Sequence, residues 1–178
     1  MNDYSVFVVL CEDRQHEVFM RTFLVSRGVS ARRIRVEIAL EGRGSGEQYV
    51  RRKYPEEVKA YRSKCNHLNI ALAVMIDADM RRVVDRLDEL DASLAEAELD
   101  RRQPSERIGI FVPKRNIETW IHYLMGEIVD EDTAYPKLKK QRECKLLVEE
   151  LAQKCNQPLE QEVPPSLQAA CTELQRII

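Results

Sequence analysis

The sequence predicts an α/β fold: a mostly parallel sheet of about four strands with helices on both faces, followed by a helical tail. Three observations predict it. Short apolar runs alternate with longer amphipathic segments along the 178 residues. The first and third runs are uncharged, as strands buried on both faces are. The segments between them are long enough to cross over a sheet and return in parallel.

Each element has its own reason. Residues 5–11 (SVFVVLC) read as a continuous buried strand. Residues 16–27 follow as a helix with Val18, Phe19, Phe23 and Leu24 near helical spacing, stopped by Gly28. Residues 33–40 alternate, with Ile34, Val36 and Ile38 on one face, so a half-buried strand is expected. A loop with three glycines (41–46, EGRGSG) leads into a helix over 47–65, where Pro55 marks a break or a new start. Residues 69–76 (NIALAVMI) are the most apolar run and read as a central strand. Residues 81–101 form a long amphipathic helix through Val84, Leu87, Leu90, Leu94 and Leu99. Residues 107–112 (RIGIFV) are the last strand and 117–125 the next helix. After Gly126 the character changes: a polar loop over 130–140, a short helix over 145–154, a linker over 158–165 and a final helix over 166–178. This divides the chain into an α/β domain over 1–125 and a helical C-terminal extension over 126–178, packed on it.

Composition excludes several classes. Apolar residues are 44% and charged residues 33%, which rules out a disordered chain. Lys plus Arg is 28 against 30 for Asp plus Glu, a net charge of −2, so the chain is no general polyanion binder and nucleic-acid contact needs a local basic patch. The five cysteines show no CxxC spacing, so neither a zinc site nor a disulfide framework is indicated, and free thiols suit a reducing cytoplasm. The first apolar run, about six residues between acids, is no secretory signal. No apolar stretch reaches the roughly 18 residues a membrane span requires, so no membrane partner is expected.

In an open parallel sheet, ligands bind beyond the carboxyl ends of the strands. The first strand ends in Glu12-Asp13 and the third in Asp77-Ala78-Asp79. The fourth ends in Pro113-Lys114-Arg115-Asn116, with Glu118 opening the next helix. Acids and bases from distant segments therefore collect at one rim. Two close carboxylates repel unless a cation sits between them. Glu12, Asp77 and Asp79 offer hard oxygen donors of the kind Mg²⁺ or Mn²⁺ takes. The plain alternative is that the two aspartates cap the next helix. Glu118 reads either as a further ligand or as an acid complementing the helix dipole. Lys114 and Arg115 are placed to meet a phosphate and offset charge that develops on it. The glycine loop with Arg43 is a candidate phosphate cradle, although a flexible turn explains it better, and Arg51 and Arg52 after it form a candidate nucleic-acid patch that a solvated helix face explains as well. Trp120 reads as core. His16 reads as a partly exposed helix residue, and Cys11 as buried and unreactive.

On Glu12 in Val9-Leu10-Cys11-Glu12-Asp13 and on Asp77-Ala78-Asp79, the chain resembles a TOPRIM domain, the Rossmann-like fold shared by topoisomerases, primases and OLD-family nucleases. Residues 113–120 (PKRNIETW) are similar to small stand-alone bacterial TOPRIM-like proteins of the RloB-like group, associated with mobile-element and phage defence. The likeness covers residues 4–125; the tail has no counterpart. It implies that Glu12, Asp77 and Asp79 hold divalent metal and that Glu12 takes part in acid–base chemistry. Asp13 stands where the family usually has glycine, which alters the loop. No ATPase segment is present, so an ATPase, if one is used, is a separate partner chain; a homo-oligomer is left open.

The expectation is a Mg²⁺- or Mn²⁺-dependent nuclease acting on DNA or RNA. Glu12, Asp77 and Asp79 hold metal, Glu118 and Lys114 complete the catalytic group, and Arg115, Arg43, Arg51 and Arg52 meet the nucleic acid. The alternative is a non-catalytic interaction module that binds a partner through Leu146, Leu147, Leu151, Leu167 and Leu174 of the tail. A small-molecule phosphohydrolase of the DxDxT type fits less well: the acid pair follows the third strand instead of the first, and no threonine completes the pattern.

Overall fold

The structure, a computed structural model, describes residues 4–40, 44–155 and 163–178. Four strands form one sheet: β1 (Val6–Cys11), β2 (Ile34–Ile38), β3 (Ile70–Met75) and β4 (Ile108–Phe111). Their order is β2-β1-β3-β4 and every pairing is parallel. The crossovers are α1 (Arg14–Ser26), α2 (Gly46–Lys64) and α3 (Val83–Glu96), and α4 (Ile117–Leu124) follows β4. Two further helices, α5 (Lys145–Lys154) and α6 (Pro165–Ile177), close the chain. The fold is therefore α/β and Rossmann-like, with helices on both faces of the sheet.

Strand alternation splits the core into two layers. Phe7, Val9, Cys11, Ala73, Met75 and Phe111 face one way, onto α1, α4, α5 and α6. Val8, Leu10, Leu72, Val74, Ile76 and Ile110 face the other way, onto α2 and α3. The extension supplies core of its own: Val148, Leu151, Leu167, Leu174 and Ile177 are buried in the first layer. Each contributes roughly 1.5–3 kcal/mol of burial. Gly109 lets α6 approach β4, since a Cβ there would lie 3.1 Å from Ile177 Cδ1. Leu151, Leu167 and Leu174 thus pack on the chain itself, while Leu146 is 74% exposed. Among the described residues, no helix is long and apolar enough to cross a membrane.

Three expectations need correction. The α2 helix runs unbroken through Pro55, because Val50, Tyr54, Val58 and Tyr61 bury a continuous stripe that outweighs one missing hydrogen bond. The α3 helix stops at Glu96 instead of 101. Glu98 adopts a left-handed φ of 56°, and Leu99 N–H returns to the Leu94 carbonyl at 2.9 Å, a Schellman closure. The cysteines are not all free: Cys155 and Cys171 form a disulfide with Cα atoms 5.4 Å apart, joining α5 to α6. Closing a loop of that size stabilises by about 3 kcal/mol in the chain-entropy account.

The loop after α4 is anchored by His122. Its Nδ1 lies 2.9 Å from Glu127 Oε2 and its Nε2 3.1 Å from the Pro136 carbonyl oxygen. Both partners are acceptors, so both nitrogens donate only as imidazolium. Burial pulls the pKa down, but the two acceptors outweigh it and raise the pKa above 6.5. A raised folded pKa stabilises fully below the unfolded value and is lost as pH rises through the folded value. We expect the urea midpoint to fall as pH rises above about 6.5, and His122→Gln to flatten that fall.

Candidate functional site

The rim sits where the topology opens. After β1 the chain turns to α1 on one face; after the adjacent β3 it turns to α3 on the other. This is the switch point of the sheet, where a crevice forms beyond the strand ends. Glu12 and Asp13 lie on one side of it, Asp77-Ala78-Asp79 on the other.

Glu12 and Asp77 are joined directly. Asp77 N–H donates to Glu12 Oε1 at 2.6 Å. Burial first, then the charges of Asp77 and Asp79, push the Glu12 carboxyl up to about 7, against the pull of His16. Asp79 is likewise raised, by burial and then by Asp77, with Arg86 and Arg115 opposing. The three carboxylates therefore lie within electrostatic reach of one another. Glu118 belongs to the same rim: it is 1% exposed, and burial, Asp77 and Asp13 raise it while its own backbone N–H and Lys137 lower it.

Two residues hold these acids that strand ends and motif spacing do not reveal. His16 is fully buried, not partly exposed, and its Nε2 lies 3.0 Å from Asp77 Oδ1. Burial disfavours its charge, yet Asp77, Asp13 and Glu12 together raise its pKa. The Asp13 side chain accepts from His16 N–H at 3.0 Å, so Asp13 caps α1 and sets the ring's position. Asp13 is thus the cap that aims His16. Arg86 is the second. It is 1% exposed and donates from Nε to the Asp77 carbonyl at 2.9 Å. Its remaining nitrogens reach Glu47 at 2.7 Å, Glu89 at 2.6 Å and Asp79 at 3.3 Å. Both residues carry a signal in the sequence. His16 continues the stripe of Phe19 and Phe23, and Arg86 that of Leu90 and Leu94. A polar group on an apolar stripe is buried with partners.

The basic residues divide. Arg115 has a left-handed φ of 69°, and its carbonyl accepts from Asp79 N–H at 2.9 Å, which pairs the two loops of the rim. The Lys114 ammonium engages Asp132 at 3.2 Å. Arg51 bonds Glu47 at 2.9 Å, so it reaches the rim through Glu47 and Arg86. Arg52 lies over the Tyr49 ring at 5.9 Å. Arg43 lies outside the described residues. Gly46 is required by a close approach. A Cβ there would meet the Glu12 carbonyl oxygen at 2.7 Å and Glu12 Cβ at 2.9 Å, so only glycine lets α2 begin against Glu12. We expect Gly46→Ala to cost about 1–3 kcal/mol in urea denaturation, as overpacking does.

Among the described residues, no three His, Cys, Asp or Glu side chains already stand in a metal-holding arrangement. The reason is local compensation. Glu12 turns one oxygen to Asp77 N–H, Asp77 turns one to His16, and Asp79 turns one to Arg86. The other oxygen of each accepts no hydrogen bond among the described residues. The second oxygens of Glu12, Asp77 and Asp79 are hard donors of the type Mg²⁺ or Mn²⁺ takes, and Asp79, at 60% side-chain exposure, is the least buried of the three. Compared with protein-family models, curated proteins and solved structures, the chain has no match.

Proposed function

We propose that the chain is a TOPRIM-like, Mg²⁺- or Mn²⁺-dependent phosphodiesterase acting on DNA or RNA in the cytoplasm. The observation that carries this reading is the meeting of Glu12, Asp77 and Asp79 at the switch point, each with one oxygen free of hydrogen bonds among the described residues. These three would hold the ion. A divalent ion there supplies Lewis-acid polarisation of a phosphate and a more acidic bound water. The chain's own groups do the rest. His16 fixes the orientation of the Asp77 carboxylate. Arg86 fixes the Asp77 carbonyl and restrains Asp79. Arg115, paired to Asp79 through the backbone, brings positive charge to the mouth of the rim. The acids alone repel a polyanion, so a phosphate enters the rim itself only beside the metal. In a reducing cytoplasm the Cys155–Cys171 bond is open to reduction.

One observation favours the interaction-module reading. Each acid already has an internal hydrogen-bond partner, so one oxygen of each is held without metal. Incubation of DNA and RNA with Mn²⁺ or Mg²⁺ separates the two. Metal-dependent cleavage lost in Asp79→Asn supports the phosphodiesterase; no cleavage of either polymer leaves the module.

A further inference from the structure

We propose that residues 137–145 and the outer face of α1 form a track for the phosphodiester backbone of a nucleic acid, leading into the rim. The inference rests on the phosphodiesterase reading of the rim and names the surface that presents substrate to it.

The segment KLKKQRECK carries Lys137, Lys139, Lys140, Arg142 and Lys145 against one acid, Glu143, in a chain whose net charge is −2. All five cations are exposed. Lys139, Lys140, Arg142 and Lys145 make no ion pair or side-chain hydrogen bond among the described residues. That sets them apart from Arg14, Arg35, Arg62, Arg82 and Arg102, which pair with acids. A concentration of unpaired, exposed positive charge costs self-repulsion and is relieved by a polyanion.

The segment is also fixed in place and aimed. Gln15 Nε2, on the first turn of α1, bonds the Gln141 carbonyl at 3.3 Å and Cys144 Sγ at 3.2 Å. The next residue is His16, which holds Asp77. Lys137 Nζ lies 3.8 Å from Asp13 Oδ2 and lowers the pKa of Glu118. One end of the basic run therefore touches the rim. The other end borders a groove of about 520 Å³ between α1 and α5, lined by Arg14, Arg21, Arg142 and Lys145 together with Glu17 and Glu149. Glu17 is shared by Arg14 and Arg21, so that side also keeps an excess of positive charge. Cations spread from the rim through the 3-10 turn at Gln141–Cys144 to the start of α5 match a repeating phosphate better than one anionic headgroup, and contacts of this type position a backbone without reading bases.

The test measures binding without cleavage. Fluorescence anisotropy in EDTA uses labelled DNA and RNA oligonucleotides, single- and double-stranded, over about 50–200 mM KCl. The triple variant Lys139→Glu/Lys140→Glu/Arg142→Glu is compared with wild type and with Lys59→Glu/Lys64→Glu on exposed sites of α2. We expect the triple variant to bind at least about tenfold more weakly, with the slope of log K against log salt reduced by about 2–3. The α2 variant should stay close to wild type, and thermal melts of all three proteins should agree. The DNA and RNA arms identify which polymer uses the track. Equal weakening by the α2 variant, no binding of any oligonucleotide by wild type, or binding only to vesicles of acidic lipid each overturns the inference. Binding that persists in Asp79→Asn, with no cleavage by wild type, sinks the phosphodiesterase alone. Cleavage that survives in the triple variant with unchanged KM sinks the track alone.

Discussion

Asp79→Asn should abolish both the thermal shift produced by Mn²⁺ and any metal-dependent cleavage, while leaving the apo protein close to wild-type stability. The variant is chosen for its surroundings. The Asp79 side chain is 60% exposed and, among the described residues, bonds only Arg86, at 3.3 Å, so its neutral isostere removes charge without emptying a buried contact. Asp77→Ala is a harsher choice because it leaves His16, fully buried, without the carboxylate that compensates it. A metal at 100 times its dissociation constant stabilises the folded state by about 2.7 kcal/mol. For a chain of this length that moves the melting midpoint by about 5–10 °C. Differential scanning fluorimetry with and without millimolar Mn²⁺ reads the shift directly. A wild-type shift that vanishes in the variant supports the metal reading. A shift of equal size in both proteins places the ion elsewhere, and the carboxylate rim then loses its proposed role.

The fold is legible in the sequence because three of its four strands are uncharged and the fourth, β2, alternates apolar with charged residues. The runs 5–11, 69–76 and 107–112 contain β1, β3 and β4 in full, since a strand buried on both faces tolerates no charge. The C-terminal ends of helices are read to within a residue for α2, α5 and α6 without a glycine and for α1 with one. Gly28 closes α1 as expected, with a φ of 88°, but α3 ends on Glu98, a non-glycine residue in the same conformation, and nothing in the local pattern announces it. The acids of the rim are visible because strand ends can be counted. Their partners are not, although His16 and Arg86 are what hold Asp77 and Asp79 in place. Each resembles an ordinary polar residue of an amphipathic helix. Only the helical phase, shared with Phe19 and Phe23 in one case and Leu90 and Leu94 in the other, distinguishes them from solvated neighbours such as Arg14 and Arg82. The glycine loop shows the same limit. A turn accounts for Gly44, at a φ of 85°, but the contact that requires Gly46 is with Glu12, far away in sequence, and no local rule anticipates it.

The second large effect belongs to Arg86. Its guanidinium ties the end of β3, the first turn of α2 and the body of α3 through Asp77, Glu47 and Glu89, and all of these contacts lie between 2.6 and 2.9 Å. Glu47 keeps Arg51 and Glu89 keeps Arg81, so removing the buried guanidinium takes the donor from the Asp77 carbonyl and weakens both acids' pairing, toward the lower end of the roughly 3–5 kcal/mol that breaking a buried ion pair costs. Arg86→Met should therefore lower the urea midpoint by a large fraction of the chain's stability. It should also change the pH dependence. Burial raises the Glu47 pKa, but Arg51 and Arg86 outweigh that and hold it below the usual value. A depressed folded pKa contributes stability above the unfolded value and loses it as pH falls. With Arg86 gone, Glu47 and Glu89 repel, and the variant should gain stability toward mildly acidic pH where wild type loses it. The triple variant Arg86→Met/Glu47→Gln/Glu89→Gln separates charge from shape. If the loss comes from weakened carboxylate pairing, the triple variant recovers more than half of it, because a neutral group no longer demands a cation. A recovery near zero assigns the loss to packing around the guanidinium. A single-variant cost below about 1 kcal/mol denies Arg86 the role of holding the rim together.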